Sequence, residues 1–153
     1  MKRSVINECR VRFPAISRNE GLSRSAAAAF ALQCDPTVEE IAAIKTAVSE
    51  AVTNAIVHGY RDGSGEVEMT MRLYSDRVLY IQVKDRGRGI PDVAAAMQPT
   101  FTTAPEDEER SGLGFTMMES FMDKVRVRSA VGSGTSVYLE KKIRGKGEQV
   151  DPR

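Results

Sequence analysis

The chain has no tryptophan, one histidine and two cysteines, and its charges nearly cancel. Each shortage removes a class of explanation. With 22 Lys and Arg against 21 Asp and Glu the net charge is +1, so no broad electrostatic field favours nucleic acid or a membrane as a partner. Cys9 and Cys34 stand far apart, in no metal-ligand or redox spacing, which predicts two reduced, half-buried thiols in a cytosolic chain. His58 has no second histidine with which to share a metal, so it reads as a structural or surface residue. No G-x-x-x-x-G-K-[ST] occurs, which excludes a P-loop, and no G-x-G-x-x-G of the dinucleotide kind occurs either. There is no charged-then-apolar leader and no apolar run of membrane-spanning length, so a soluble, cytoplasmic protein is expected.

What is present is an ordinary globular composition: 153 residues, 41% hydrophobic and 28% charged, enough for one domain with a real core. Residues 1–143 read as that domain. Residues 144–153 read as a basic, flexible tail, solvated at its end. In ECRVRFPAI, Cys9, Val11 and Phe13 alternate as a strand. Leu22, Ala26, Ala29 and Phe30 fall at helical spacing, and Asp35-Pro36 ends that helix. Thr37 and Glu40 then have capping-box form, ahead of an apolar arc of Val38, Ile41, Ile44, Val48, Val52, Ala55 and Ile56. Gly59 is placed to stop this second helix in a left-handed conformation.

Further along, Val67, Met69, Met71 and Leu73 alternate, and after a turn VLYIQV (78–83) pairs with them as a hairpin. Residues 92–111 show little pattern beyond a short helix near Ala94–Met97, as expected of a lid or binding loop. A helix from Leu113 to Met122 and a closing hairpin, VRVRS (125–129) with TSVYLEKK (135–142), complete the order. That order predicts an α+β sandwich: one mostly antiparallel sheet with helices on one face.

Four places carry chemistry. Glu50 and Asn54 stand four apart on the second helix, almost opposite the apolar arc, with Ala43 and Ala47 leaving room in the same row. An Asn oxygen suits Mg²⁺, and a Glu one turn away can hold a water of the ion or take a proton from a hydroxyl; a solvated Glu beside a helix-end Asn is the plainer reading. Asp85-Arg86-Gly87-Arg88-Gly89 comes after a hydrophobic strand, where a carboxylate could accept from an exocyclic amine such as adenine's, or could merely close a tight turn. Ser111-Gly112-Leu113-Gly114-Phe115 opens a helix whose amides could take phosphate oxygens with help from Arg110, or could be a simple N-cap. Gly132-Ser133-Gly134-Thr135 is first a hairpin turn and second a ligand contact through Thr135, and Glu106–Glu109 is most simply a solvated acidic face.

Taken in order, E-x-x-x-N-A on a helix, D-x-G-x-G after a strand, a lid, G-x-G at a helix start and G-x-G-T before the last strand resemble the GHKL ATPase/kinase superfamily over nearly the whole chain. Within it, SEAVTNAIVHGY, PTFTTAPEDEERSGLGF and MESFMDKV resemble the switch-type serine kinases that act as anti-sigma factors, in particular the anti-sigma F family of spore-forming bacteria. The resemblance implies a GHKL-type ATP-binding sandwich with an ATP lid. It also implies a homodimer that holds a sigma factor inactive and uses ATP and Mg²⁺ to phosphorylate a serine of an anti-anti-sigma protein. It assigns Glu50 as general base, Asn54 to Mg²⁺, Asp85 to the adenine amine with Gly87 and Gly89 shaping that wall, and Thr135 to the adenine end. Thr102, Thr103, Arg110, Ser111, Gly112 and Gly114 would line the phosphates, and Arg24 is a contact candidate on the first helix. Two rivals stand beside it: a nucleotide-gated module that sequesters a sigma factor with little catalysis, and a general-stress switch kinase with a different target. No direct nucleic-acid or membrane contact is expected.

Overall fold

A computed structural model describes residues 3–60, 65–98 and 114–146. Five strands form one sheet in the order β1-β2-β3-β5-β4: β1 (Val5–Pro14), β2 (Glu66–Tyr74), β3 (Val78–Asp85), β4 (Lys124–Ala130) and β5 (Gly134–Lys142). All four neighbouring pairs are antiparallel, and β2–β3 and β4–β5 are the two hairpins that the sequence pattern predicts. Strand alternation puts Val67, Met69, Met71 and Leu73 of β2 and Leu79, Ile81 and Val83 of β3 on one buried face. At the edge, opposite charges fall on partnered residues of the other face: Arg12 on Glu68 at 2.8 Å and Arg72 on Glu8 at 2.7 Å. A one-residue slip would break both pairs and also turn the apolar set to solvent, so register is fixed twice over.

The helices α1 (Arg18–Ala31), α2 (Val38–Asn54), the single turn α3 (Val93–Ala96) and α4 (Gly114–Phe121) lie on the buried face, with α2 flanked by α1 and α4. The helix expected over 113–122 is α4, and its Phe115 and Met118, with Met122 just beyond, enter the core as their spacing predicts. Ile44, Val48 and Val52 of α2 are fully buried, each stabilising the fold by roughly 1.5–3 kcal/mol in transfer terms.

Several expected faces differ. Cys9 is exposed and Cys34 buried, so neither thiol is half-buried; β1 is an edge strand whose helical cover reaches only its Phe13 end. In α1 the buried residues are Ser23, Ala27, Phe30 and Ala31, while Leu22 is 51% exposed. An alanine-rich helix has too little contrast between its faces for spacing to choose one. Val38, counted into the apolar arc of α2, lies at the helix start and is 82% exposed. Ala43 and Ala47 are not left open to a ligand but are buried in the packing of α2 among its neighbours.

The capping box of α2 forms as predicted, and its glutamate reaches further. Glu40 accepts from Thr37 N at 2.9 Å, and also from Arg144 N at 2.7 Å and Gly145 N at 3.0 Å. The chain after β5 is thereby tied to α2 as far as Lys146, whose amide donates to the Asp35 carbonyl at 3.0 Å; residues 147–153 of the expected tail lie outside the described residues. Burial pushes the Glu40 pKa up, but the Thr37, Arg144 and Gly145 amides and the Thr37 hydroxyl outweigh it and hold the carboxyl below its ordinary value. Glu40→Ala is expected to cost about 1–2 kcal/mol of unfolding free energy at pH 7 in a denaturant titration. A carboxylate with a depressed folded pKa stabilises above its unfolded pKa and stops doing so as pH falls through the folded one, so the difference from wild type should shrink in acid.

Candidate functional site

Glu50 and Asn54 occupy successive turns at the end of α2, and the i, i+4 spacing brings them together as predicted. They converge on the start of α4. A Cβ placed on Gly114 would stand 3.2 Å from Asn54 Nδ2, 3.3 Å from Glu50 Oε2 and 3.4 Å from Asn54 Oδ1. Gly114 therefore lets the helix start approach both polar side chains. A carboxylate and an amide oxygen side by side make an oxygen donor set of the kind a hard divalent cation accepts. Among the described residues no three His, Cys, Asp or Glu side chains cluster closely enough to hold a metal by themselves.

After Asn54 the helix widens into a π turn, Ala55–Gly59, closed by the Tyr60 amide on the Ala55 carbonyl at 3.2 Å. Such turns shift the downstream chain by one residue and recur at functional sites. Gly59 is not the left-handed stop that its position suggests, since its φ is not positive. Its role is clearance: a Cβ there would lie 2.8 Å from Asp85 Cγ and Oδ1. His58, read as structural, sits on this turn, and its carbonyl accepts from Arg88 Nε at 2.8 Å.

Asp85 ends β3 on the core-facing side and is 5% exposed. Burial raises its pKa above the ordinary aspartate value; the backbone amides of Gly87 and Thr135 pull it the other way without cancelling the effect. The Gly87 amide is 2.9 Å from Asp85 Oδ1.

The glycines after Asp85 make room for backbone. A Cβ on Gly87 would fall 1.9 Å from the Gly59 carbonyl oxygen, and Gly89 has a φ of +79° with a Cβ position 2.2 Å from the Ala130 carbonyl oxygen. The loop is thus clamped between the end of α2 and the β4–β5 turn. Arg88 N donates to Gly59 O at 3.0 Å, and Gly132 N to Arg88 O at 2.8 Å.

On the other wall, Thr135 of β5 is the cross-strand partner of Asp85 and lies buried beside it. Asp85, Thr135, Ser129, Val127 and Val93 line a cavity of about 480 Å³, within the range of small-molecule sites. Asp85 and Thr135 line that cavity; the π turn, packed against Asp85 and Gly87 at Gly59, follows directly on Asn54, which with Glu50 faces Gly114. Thr102, Thr103, Arg110, Ser111 and Gly112 lie outside the described residues. Arg24 is apart from this site, exposed on α1 with its Nε 3.7 Å from Glu20 Oε1; Glu20 in turn accepts a hydrogen bond from Ser49 of α2.

Sequence reasoning passes over Ser129 and Tyr60. Ser129 Oγ is 2.8 Å from Thr135 Oγ1 and accepts from Ile90 N at 2.7 Å. The Tyr60 hydroxyl donates to Glu66 O at 2.8 Å and accepts from Arg86 N at 2.5 Å, holding the start of the Asp85 loop. For Ser129 a signal is present in the hairpin spacing, which sets it opposite Thr135.

Residues 13–141 match the family described as "Histidine kinase-like ATPase domain". The chain is 52% identical over 137 residues to the anti-sigma F factor of Geobacillus kaustophilus (strain HTA426), covering 90% of this chain and 93% of that protein. It is 49% identical over 138 residues to the anti-sigma F factor of Bacillus licheniformis, again covering 90% and 93%. Among solved structures it is similar in fold to the RsbU and RsbW domains of Rv1364c from Mycobacterium tuberculosis, with a TM-score of 0.66 at 22% identity over 90% of this chain and 32% of that one. It is similar as well to the histidine kinase domain of the blue-light activated histidine kinase of Erythrobacter litoralis EL346, with a TM-score of 0.54 at 22% identity over 88% and 66%.

Proposed function

Because the chain belongs to the anti-sigma F factors of the histidine kinase-like ATPase family, we propose that it binds a sporulation sigma factor and holds it inactive, and that it phosphorylates a serine of an anti-anti-sigma protein with Mg-ATP. The observation that carries the catalytic half is the convergence of Glu50 and Asn54 on Gly114, at the far end of one π turn from a buried carboxylate. A domain that only sequestered its partner would not need a general base at Glu50.

Each residue then has a role. Asp85 accepts from the exocyclic amine of adenine, Gly87 and Gly89 shape that wall, and Thr135 closes the base end. Gly114, with Thr102, Thr103, Arg110, Ser111 and Gly112 of the lid, faces the phosphates, and backbone N–H groups at the start of α4 favour negative charge there. Asn54 offers its carbonyl oxygen to Mg²⁺, which supplies charge neutralisation on the triphosphate. Glu50 takes the proton of the acceptor serine as its oxygen bonds to the γ-phosphorus and the bond from phosphorus to the ADP oxygen breaks. Arg24, exposed on α1, belongs to partner contact. On the same reading the protein works as a cytoplasmic homodimer.

The test is incubation with γ-labelled ATP, Mg²⁺ and a candidate anti-anti-sigma protein. Label on a partner serine is the expected result. Tight ATP binding and sigma inhibition with no label on the partner would reduce the protein to a nucleotide-gated sequestering module.

A further inference from the structure

Around Thr135, which the proposed function sets at the base end of the cavity, lies a hydroxyl network whose other member, Ser129, has no role there. Ser129 Oγ accepts from Ile90 N at 2.7 Å, lies 3.1 Å from the Gly134 carbonyl oxygen and 2.8 Å from Thr135 Oγ1. A serine hydroxyl has one hydrogen and two lone pairs. The Gly134 carbonyl can only accept, so the Ser129 hydrogen goes to it. The Ile90 amide occupies one lone pair, and the remaining lone pair can satisfy Thr135 only if the Thr135 hydroxyl donates. The reverse assignment would leave two oxygens facing each other at Gly134 with no hydrogen between them. One arrangement of protons therefore satisfies all three contacts.

That arrangement has a chemical result. With its hydrogen committed to Ser129, Thr135 Oγ1 presents lone pairs alone to the cavity. Its cross-strand partner Asp85, when ionised, is also an acceptor only. We propose that Ser129 is a specificity-positioning residue: by fixing the Thr135 proton it turns the base end of the cavity into an all-acceptor edge, which takes a purine bearing a 6-amino group and rejects one bearing a 6-keto oxygen. The inference rests on the nucleotide reading above and adds to it a residue, not itself touching the base, that sets the choice of base.

Inosine triphosphate replaces the 6-amino group of ATP by a keto oxygen and carries a hydrogen on N1 where adenine has a lone pair; both differences are common to every variant, so the change in the ratio of ATP to ITP affinity between variants reports on the acceptors facing position 6. Calorimetry on wild type, Ser129→Ala and Ser129→Thr measures it. Wild type should strongly prefer ATP. Ser129→Ala should narrow the preference by roughly fivefold or more, chiefly through tighter ITP binding, because the freed Thr135 hydroxyl can turn and donate to the keto oxygen. Ser129→Thr keeps the hydroxyl and should keep the wild-type ratio, which a merely structural role for Ser129 does not require. Should the alanine variant fail to fold, Thr135→Val removes the acceptor from the other side and must narrow the ratio in the same way. An unchanged ratio in Ser129→Ala, or in Thr135→Val if that variant has to serve, overturns the proton assignment alone. Wild type that binds neither nucleotide overturns the nucleotide reading together with it.

Discussion

Replacing Asp85 by asparagine is expected to weaken ATP binding by roughly 100-fold while making the nucleotide-free protein more resistant to heat at neutral pH. Both halves come from one burial. Asp85 is a buried residue of the cavity wall, close enough to Gly59 to exclude a side chain there, with one oxygen satisfied by the Gly87 amide. In the proposed site its charge strengthens the hydrogen bond from the adenine amine, and Asn would replace an ionised acceptor by a neutral group half of whose polar surface donates. Without nucleotide the same charge opposes folding, since burial raises its pKa above the ordinary value.

The sign of the pH effect is fixed by that direction. A carboxyl with a raised folded pKa favours the folded state in its protonated form, below the unfolded pKa, and loses that contribution as pH rises through the folded pKa. Wild type should therefore melt a few degrees below Asp85→Asn at pH 7, and the two should approach each other as the buffer is taken into the ordinary aspartate range. Thermal melts at several pH values check this, and calorimetry with ATP checks the affinity. A variant that is both less stable at pH 7 and unchanged in affinity would place the carboxylate in a structural role.

Local rules recover much of this molecule because its signals are local. The i, i+4 spacing of Glu50 and Asn54, the capping box at Thr37 and Glu40, and the alternation in β2 and β3 all concern residues within a turn or two of one another. The features that escape depend on distant contacts. Gly59 looks like a helix stop in sequence, whereas its lack of a side chain is needed by Asp85, twenty-six positions on. The glycines of the Asp85 loop are needed because they admit the backbone of the π turn at Gly59 and of the chain at Ala130 and Val131. In VRVRS, Ser129 looks like any strand serine until the Ser129–Thr135 register gives its hydroxyl three partners. Cys9 differs from expectation for the same reason, since alternation tells which face a strand residue occupies but not whether a helix covers that end of the face.

Glu50→Gln is expected to lower the rate of serine phosphorylation by about 10²–10⁴-fold, the span usual for losing a positioned general base, with little change in ATP affinity. Gln has nearly the shape of Glu, so the close approach of Gly114 and the packing of α4 on α2 survive, and Asn54 keeps its place one turn away. The capacity to receive the serine proton is lost. In kinetic terms the loss should fall on kcat with KM for ATP almost constant, the signature of an interaction made only in the transition state. Sigma binding should persist, because Arg24 and the exposed face of α1 are not touched by the change. The variant would then inhibit its sigma factor yet could not release itself from an anti-anti-sigma protein by phosphorylating it. Single-turnover labelling with saturating Mg-ATP separates chemistry from product release. If wild type and Glu50→Gln label the partner at equal rates, the carboxylate is not the base, and the proton must leave through water or the phosphate itself.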